Sequence, residues 1–167
     1  MKILYIYAKV KLMENSEILN DLAAVFRWTA RLDMHEGIAN HFSVCSQDND
    51  GFFINKSGSH FSQIKASDLI HVNNNNYEKL KDKPEIVDPT ALNIHGEIHK
   101  KVPHAKCILH AHSKYATALS TLKNPFLPPI DQNTMRFFNR VAFYNDFGGL
   151  GFENEAKKMS QSMGNYK

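Results

Sequence analysis

The chain has few cysteines, no long apolar run and no block of like charge, and these absences narrow its class before any motif is considered. Of the 167 residues only Cys45 and Cys107 are cysteines, and neither belongs to a CxxC pair or a spaced zinc set. We therefore expect free thiols and a reducing, cytoplasmic compartment. No window approaches the roughly 18 consecutive apolar residues of a membrane-spanning helix. The amino terminus lacks a small-residue cleavage site, so we expect neither a signal peptide nor a membrane partner.

The charge pattern points away from nucleic acid. The 20 basic and 17 acidic residues are scattered along the chain and leave a net charge of +3. A DNA or RNA reader needs a basic stripe or interleaved stacking aromatics, so we expect no nucleic-acid partner. The composition, 43% apolar and 22% charged, is typical of a soluble globular domain. At this length a core forms without a disulfide or structural metal, and we expect residues 1–167 to form a single domain with 1–14 peripheral.

Hydrophobic periodicity predicts alternating helices and strands. Apolar residues spaced by three and four, including Ile18, Leu22, Val25, Phe26 and Leu32, predict an amphipathic helix behind a cap at Asn15 or Ser16. Two β-prone runs, 41–47 and 51–55, flank the turn residues 48–51 and predict a hairpin. Further on, the pattern predicts strands over 68–72, 105–112 (buried) and 142–147, and helices from Asp88-Pro89 to Pro103 and over 113–122, 132–140 and 153–163. This alternation predicts an α/β fold with helices covering a central sheet.

The histidines are the residues that indicate chemistry, and His110-Ala111-His112 is the decisive pair. In a strand, residues i and i+2 point to the same face, so both imidazoles can bind one ion at about 2.0 to 2.1 Å. The alternative is that both side chains merely fill space. The pair closes a predicted strand and meets a helix start at Ser113, which is where ligands gather in α/β folds. This position favours a metal site.

Several motifs occur together in a characteristic order. They are Gly37–Val44, Phe53–Gly58, Ser67–Leu69, Pro89-Thr90 with His95, and His110–His112. From about residue 16 to 166 the chain thereby resembles the class II aldolase and adducin head family. The resemblance implies a three-layer α/β/α fold with a central mixed, largely antiparallel sheet, and a homotetramer. In the enzymes it implies a divalent metal, usually zinc with manganese as the alternative, held by the HxH pair and a third, later histidine.

The resemblance also assigns site residues. His110 and His112 match the metal pair. Loops that hold the anionic end of phosphate substrates match the candidate substrate-binding residues His41, Ser57, Gly58 and Thr90. Loop N–H groups around a glycine and the start of a helix suit an anion. A plain turn is the alternative for Ser57-Gly58.

Two departures limit what is inherited. Ala91 stands where the sugar-phosphate aldolases carry a proton-transferring glutamate, and Glu97 lies roughly 120° away around the helix. His95, one turn from Ala91, is our candidate acid or base, since its ordinary pKa lies near 6.5; a hydrogen-bonded structural histidine is the alternative. No histidine follows His112. His95, His99 and His104 do not match the third ligand.

Three functions remain open. The first is a metal-dependent lyase that performs aldol cleavage, decarboxylation or epimerisation of a small hydroxy-carbonyl compound through a metal-stabilised enediolate. Ala91 argues against the sugar-phosphate subtype. The second is an adducin-like, non-catalytic assembly or interaction domain. The third is a truncated, inactive remnant, because we expect the C-terminal strands of the family fold to be missing after Lys167. The absent third histidine has two explanations: a neighbouring group or subunit completes the metal shell, or the shortened chain binds metal poorly.

Overall fold

The chain folds into helices arranged around one small sheet. The computed structural model describes residues 2–146 and 153–164, with the backbone alone for 2–14 and 153. Its helices are α1 (Lys2–Arg31), α2 (Tyr77–Lys81), α3 (Pro89–Lys101), α4 (Lys114–Ser120), α5 (Gln132–Met135) and α6 (Glu153–Met163). Its strands are β1 (His41–Cys45), β2 (Phe52–Ile54), β3 (Ile70–Val72) and β4 (Cys107–His110), with short 3-10 turns at Phe61–Gln63 and Ala66–Asp68. None of the described helices combines the length and apolar character that crossing a membrane requires.

The four strands form a single sheet in the order β3-β2-β1-β4. Each neighbouring pair is antiparallel, so the mixed sheet implied by the family resemblance is antiparallel throughout in the described residues. Ser43 of β1 lies opposite Ile54 of β2, and His41 lies opposite His110 of β4. Because directly opposite residues share a face, this register brings His41 next to the predicted metal pair.

Helices cover both faces of the sheet, as an α/β/α architecture requires. Side chains alternate along a strand, so Phe42 of β1 faces α1, where its ring stacks on Phe26 with centroids 4.9 Å apart. On the opposite face, Phe52 and Ile54 of β2 pack with Leu92 of α3, and α6 packs against α3 in turn. Two separate apolar clusters therefore flank the sheet, and the predicted three-layer fold is confirmed.

The predicted hairpin is also present. Its turn depends on Gly51, whose φ is +119°, a conformation that L side chains rarely adopt. A Cβ at this position would lie 2.0 Å from the carbonyl oxygen of Val72 on β3. The backbone of β3 therefore passes so close to the turn that only glycine fits.

The start of α3 follows the sequence prediction. Asp88 precedes Pro89, and its Oδ1 accepts a hydrogen bond of 3.0 Å from the backbone N–H of Ala91. The side chain thus satisfies one of the free donors of the first turn, while the fixed φ of proline suits the first helical position. The helix ends at Lys101, two residues before Pro103.

The amino-terminal helix is longer than predicted. It begins at Lys2, so the predicted cap at Asn15 or Ser16 is wrong. No proline or glycine interrupts residues 2–31, and nothing in the local sequence stops a helix there. Two members of the predicted apolar face are exposed: Val25 at 37%, and Leu32 at 51%, which lies beyond the end of the helix.

Other predicted elements change in extent. Strand β4 is not buried as predicted, since Cys107 is exposed and Leu109 is 53% exposed. It is an outer strand of the sheet, with a neighbouring strand on one side only in the described residues. The predicted helix 132–140 ends at Met135, and Asn139 adopts a left-handed φ of +54°. Residues 142–146 form no strand, and 147–151 lie outside the described residues. Strand β3 starts at Ile70 rather than at residue 68, and the sequence analysis did not predict α2.

Candidate active site

The HxH pair lies where β4 ends. His110 is the last residue of the strand and His112 precedes α4. The two Nε2 atoms are 3.0 Å apart, and the ring centroids are 4.8 Å apart. The imidazoles are therefore neighbours, as their spacing predicts.

This geometry can be compared with that of a shared metal ion. Two imidazole ligands of a tetrahedral zinc ion have their nitrogens roughly 3.3 Å apart, close to the observed 3.0 Å. In the described part of the chain, Nδ1 of His110 is buried without a hydrogen-bond partner. Within residues 2–146 and 153–164, no group of three or more His, Cys, Asp or Glu side chains is arranged to hold a metal. The pair thus fits an ion as two ligands, and the described residues offer no third.

A carboxylate lies behind His112. Nδ1 of His112 contacts Oε2 of Glu36 and so directs Nε2 of the same ring toward His110. Glu36 is itself positioned, because its backbone N–H donates to Oδ1 of the buried Asn40 at 2.6 Å. A carboxylate that holds the second nitrogen of a metal-binding histidine is a common supporting arrangement. Glu36 could not be predicted from the sequence, because it is 76 residues from His112 and belongs to no motif.

His41 packs against the pair. Its ring centroid lies 4.2 Å from that of His110, with the ring planes 31° apart. Burial, with a smaller effect of His110 and then His112, lowers the pKa of His41 to about 3. Burial also lowers the pKa of His110, assisted by His112 and opposed by Asp88. His41 and His110 are therefore neutral at neutral pH.

Behind His41 runs a buried series of hydrogen bonds, which we name the histidine chain: His41, His95, Ser43, His99 and the carbonyl of Ala105. Nδ1 of His41 lies 2.7 Å from Nε2 of His95, and Nδ1 of His95 lies 2.5 Å from Oγ of Ser43. The same Oγ lies 2.8 Å from Nε2 of His99, whose Nδ1 lies 3.0 Å from the carbonyl oxygen of Ala105. The histidine chain extends from His41, which packs against His110, to His99 near the C-terminal end of α3.

Two periodicities create the histidine chain. His41 and Ser43 are two apart on β1 and share a face of the sheet, while His95 and His99 are four apart on α3 and share a face of the helix. Burial lowers the pKa of His95 well below its usual value and that of His99 to about 4. His95 is 0% exposed and both its ring nitrogens are hydrogen-bonded. His95, our candidate acid or base, therefore makes the hydrogen bonds expected of a structural histidine, and its role in proton transfer stays a prediction.

The predicted substrate loops lie near the start of α3. The N–H of Ser57 donates to the carbonyl of Ile86 at 2.9 Å, which holds this loop beside the segment leading into the helix. Gly58 adopts a φ of +70°, and Thr90 is the second residue of α3. In the described part of the chain, no hydrogen bond joins Ser57, Gly58 or Thr90 to His110 or His112. Their contact with a substrate stays a prediction.

Ala91 and Glu97, at which the sequence departs from the family pattern, lie in the core and in a cleft respectively. Ala91 is 1% exposed and packs in the core beside Leu92. Glu97 lines a cleft of about 950 Å³ together with Cys45, His99 and Lys106, and neither His110 nor His112 lines this cleft. This position gives no support to Glu97 as a substitute for the carboxylate that the family resemblance implies at Ala91. Both cysteines are free, as predicted, and burial raises the pKa of the Cys45 thiol.

The fold agrees with what comparison with known proteins shows. Residues 20–167 match the Class II Aldolase and Adducin N-terminal domain family, and the chain belongs to this family. Class II aldolases are generally metal-dependent, and members of the superfamily bind small molecules and often form oligomers.

Individual relatives cover most of this chain. It is 32% identical over 152 residues to the meiotically up-regulated gene 14 protein of Schizosaccharomyces pombe, covering 90% of this chain and 58% of that protein. It is 29% identical over 148 residues to the decarboxylase NovR of Streptomyces niveus, covering 87% of this chain and 54% of that protein. The L-fuculose 1-phosphate aldolase from Glaciozyma antarctica superposes with a TM-score of 0.78 at 28% identity, covering 92% of this chain and 59% of that one.

The chain spans between about half and three fifths of the length of these relatives. Adducin-related proteins are also among the matches. The family thus includes proteins named as aldolases, as a decarboxylase and as adducins.

Proposed function

We propose that the chain is the metal-binding part of a lyase-type enzyme that acts on a small hydroxy-carbonyl compound by aldol cleavage, decarboxylation or epimerisation. Two features of one histidine pair carry the proposal: the Nε2 atoms of His110 and His112 are 3.0 Å apart, and Nδ1 of His112 contacts the carboxylate of Glu36. Relatives named as an aldolase and as a decarboxylase support the same reaction class.

In this proposal, His110 and His112 supply two ligands to zinc or manganese. When bound, such an ion polarises the oxygens of a carbonyl or hydroxyl group and stabilises negative charge that develops on them. Glu36 engages Nδ1 of His112, so Nε2, which faces His110, is the nitrogen that would bind the ion. The loop at Ser57-Gly58 and the start of α3 at Thr90 offer N–H groups and a hydroxyl for the far end of the substrate.

Metal titration tests the proposal directly. We expect purified chain to bind zinc, and His110→Ala to weaken binding by at least about tenfold, because one of two imidazole ligands is lost. The measurement is competition with a coloured chelator, followed by turnover assays on a panel of hydroxy-carbonyl compounds with and without chelator.

A matched control comes from a second imidazole pair in the same protein. Nε2 of His35 lies 2.9 Å from Nε2 of His60, and this pair makes no hydrogen bond to His110 or His112 in the described residues. We expect His35→Ala to leave zinc affinity unchanged. The opposite pattern, with His35→Ala weakening binding and His110→Ala having no effect, would place the ion elsewhere and refute the proposal.

The adducin-like function is the second candidate, and Ala91 favours it. This residue stands where the sugar-phosphate aldolases carry a carboxylate, and it is fully packed in the core. A domain retained for assembly needs no proton-transferring group there. A folded oligomer that binds no zinc and converts no compound of the panel would support this function over the lyase.

A further inference from the structure

We propose that Asn40 is a positioning residue that holds the backbone of Glu36, and through it the Glu36 carboxylate, against the ring of His112. The inference rests on the proposed function for the role of His112 as a metal ligand. It rests on the hydrogen bonds of residues 36–42 and 55 for the positioning itself.

The contact between Glu36 and His112 lies at the surface and needs support to be effective. The side chain of Glu36 is 66% exposed, and that of His112 is 42% exposed. A pair of exposed side chains contributes little by itself, because water screens the charges and both side chains lose conformational freedom. The contact contributes more when the backbone that carries the carboxylate is already fixed, since less freedom is then lost.

Asn40 supplies this support from the interior. It is 1% exposed, and its Oδ1 accepts a hydrogen bond of 2.6 Å from the backbone N–H of Glu36. The backbone N–H can only donate, so the oxygen of the amide, and not Nδ2, must face Glu36. The carbonyl of Glu36 accepts a second bond, of 3.0 Å, from the N–H of Ala39. Both polar backbone groups of Glu36 are therefore held within one short segment.

A second buried amide fixes Asn40 in turn. Asn55 is 6% exposed and directly follows β2. Its Nδ2 donates to the carbonyl of Asn40 at 3.4 Å, and its Oδ1 accepts from the N–H of Phe42 at 3.1 Å. One side chain thus holds two backbone groups where β1 begins. The position of Glu36 is therefore connected to the sheet through two buried amides.

Side chains of similar shape test the role of Asn40. Asn40→Leu fills much of the same space but has no acceptor, so the N–H of Glu36 loses its partner. We expect zinc affinity, measured by chelator competition, to fall by at least about threefold and by no more than in Glu36→Gln. Wild-type affinity in Asn40→Leu would overturn the inference. If Asn40→Leu does not fold, Asn40→Ala replaces it, since it lacks the acceptor as well.

A double variant separates positioning from a general loss of stability. If Asn40 acts through Glu36, the two losses do not multiply, and Asn40→Leu combined with Glu36→Gln should bind zinc within about twofold of Glu36→Gln alone. Losses that multiply would show that Asn40 acts independently of Glu36 and would refute the inference.

Ser46→Ala is the matched control. Ser46 is also a buried polar residue of this region, 3% exposed, and its Oγ donates to the carbonyl of Gly51 at 3.3 Å. We expect Ser46→Ala to lower the free energy of unfolding in urea while keeping wild-type zinc affinity. A fall in affinity equal to that of Asn40→Leu would mean that any loss of a buried hydrogen bond has this effect, and the role of Asn40 would be lost.

NMR of the metal-free protein tests the positioning without zinc. In Asn40→Leu we expect faster hydrogen exchange at the backbone N–H of Glu36, and the ring proton resonances of His112 should move toward those in Glu36→Gln. Asn40→Asp keeps an oxygen facing Glu36 and should retain slow exchange there. Equally fast exchange in Asn40→Leu and Asn40→Asp, or unchanged His112 resonances in Asn40→Leu, would contradict the inference.

Zinc titration of the wild type and His110→Ala reports separately on the proposed function. If the wild type binds no zinc, that function fails, and the metal-free resonances of His112 still decide whether Asn40 positions Glu36. Failure of one can therefore be told from failure of the other.

Discussion

Glu36 contacts His112 through its carboxylate, and its contribution can be measured. In Glu36→Gln, the side chain keeps its size but loses its charge, so Nδ1–H of His112 is held less strongly. We expect zinc affinity to fall by about 10-fold to 100-fold. Chelator competition is the measurement. Glu17→Gln, at an exposed position on α1, is the control and should bind like the wild type; equal affinities for all three proteins would show that Glu36 has no such role.

His99 should make stability depend on pH. Its pKa is about 4 in the folded protein and about 6.5 when unfolded. Between these values the unfolded chain binds more protons, so the free energy of unfolding rises with pH and falls on acidification, by roughly 1.4 kcal/mol per pH unit for this residue. Below the folded pKa the dependence levels off.

Urea denaturation at about pH 7 and about pH 5 measures this dependence. In His99→Phe, one proton-binding group is gone from the unfolded chain, so the difference in unfolding free energy between the two pH values should shrink. An undiminished difference would mean that His99 does not titrate as its burial indicates.

At the scale of residues, the sequence could predict the HxH pair because two histidines two apart on a strand share a face. It could not predict the histidine chain. The spacing within β1 and the spacing within α3 each place two polar side chains together. Only the packing of α3 on β1 decides that Ser43 meets His95 and His99.

Among the elements, the hairpin between β1 and β2 offers a sharp test. Gly51→Ala meets both an unfavourable φ and the backbone of Val72, so we expect a loss of at least about 1 to 3 kcal/mol of unfolding free energy. Gly58→Ala is the control, because its φ is also positive but a Cβ there has nothing within 4 Å. Urea denaturation of both variants gives the comparison. Equal losses would mean that the close approach of β3 costs nothing.

Elements with two agreeing signals were predicted well, and those with one were not. The start of α3 has both a capping aspartate and a following proline, and the hairpin has both alternation and turn residues. The start of α1 was placed by a cap residue alone, although Asn15 accepts a hydrogen bond from the backbone of Gln47 instead.

For the whole molecule, we expect the exposed apolar side chains of residues 122–143 to promote self-association. Phe126, Phe137, Phe138 and Phe143 are among its exposed large apolar side chains. We expect the isolated chain to bind a hydrophobic fluorescent dye and to associate as its concentration rises. Substituting Phe137 and Phe138 together by serine should reduce both effects, as measured by dye fluorescence and light scattering, whereas Gln132→Ser should not. Weak dye binding that is identical in all variants would contradict this expectation.

The layered architecture could be predicted because the ordered motifs resemble a family whose members have it, and the chain belongs to that family. The exposed face of β4 could not. An apolar run predicts burial, but whether a neighbouring layer extends far enough to cover an outer strand depends on the assembled molecule.

Successive side chains of strand β1 point alternately to the apolar cluster under α1 and to the polar side chains of α3. Phe42 faces the cluster with Phe26, while His41 and Ser43 face α3. A shift of this strand by one residue against its neighbours would turn Phe42 toward the polar side chains of α3 and His41 toward the apolar cluster. A mutation that loosens the stack of Phe42 on Phe26 should therefore also change the NMR resonances of the histidines. Along this strand, a change in the stability of the fold is expected to change the geometry of the candidate site as well.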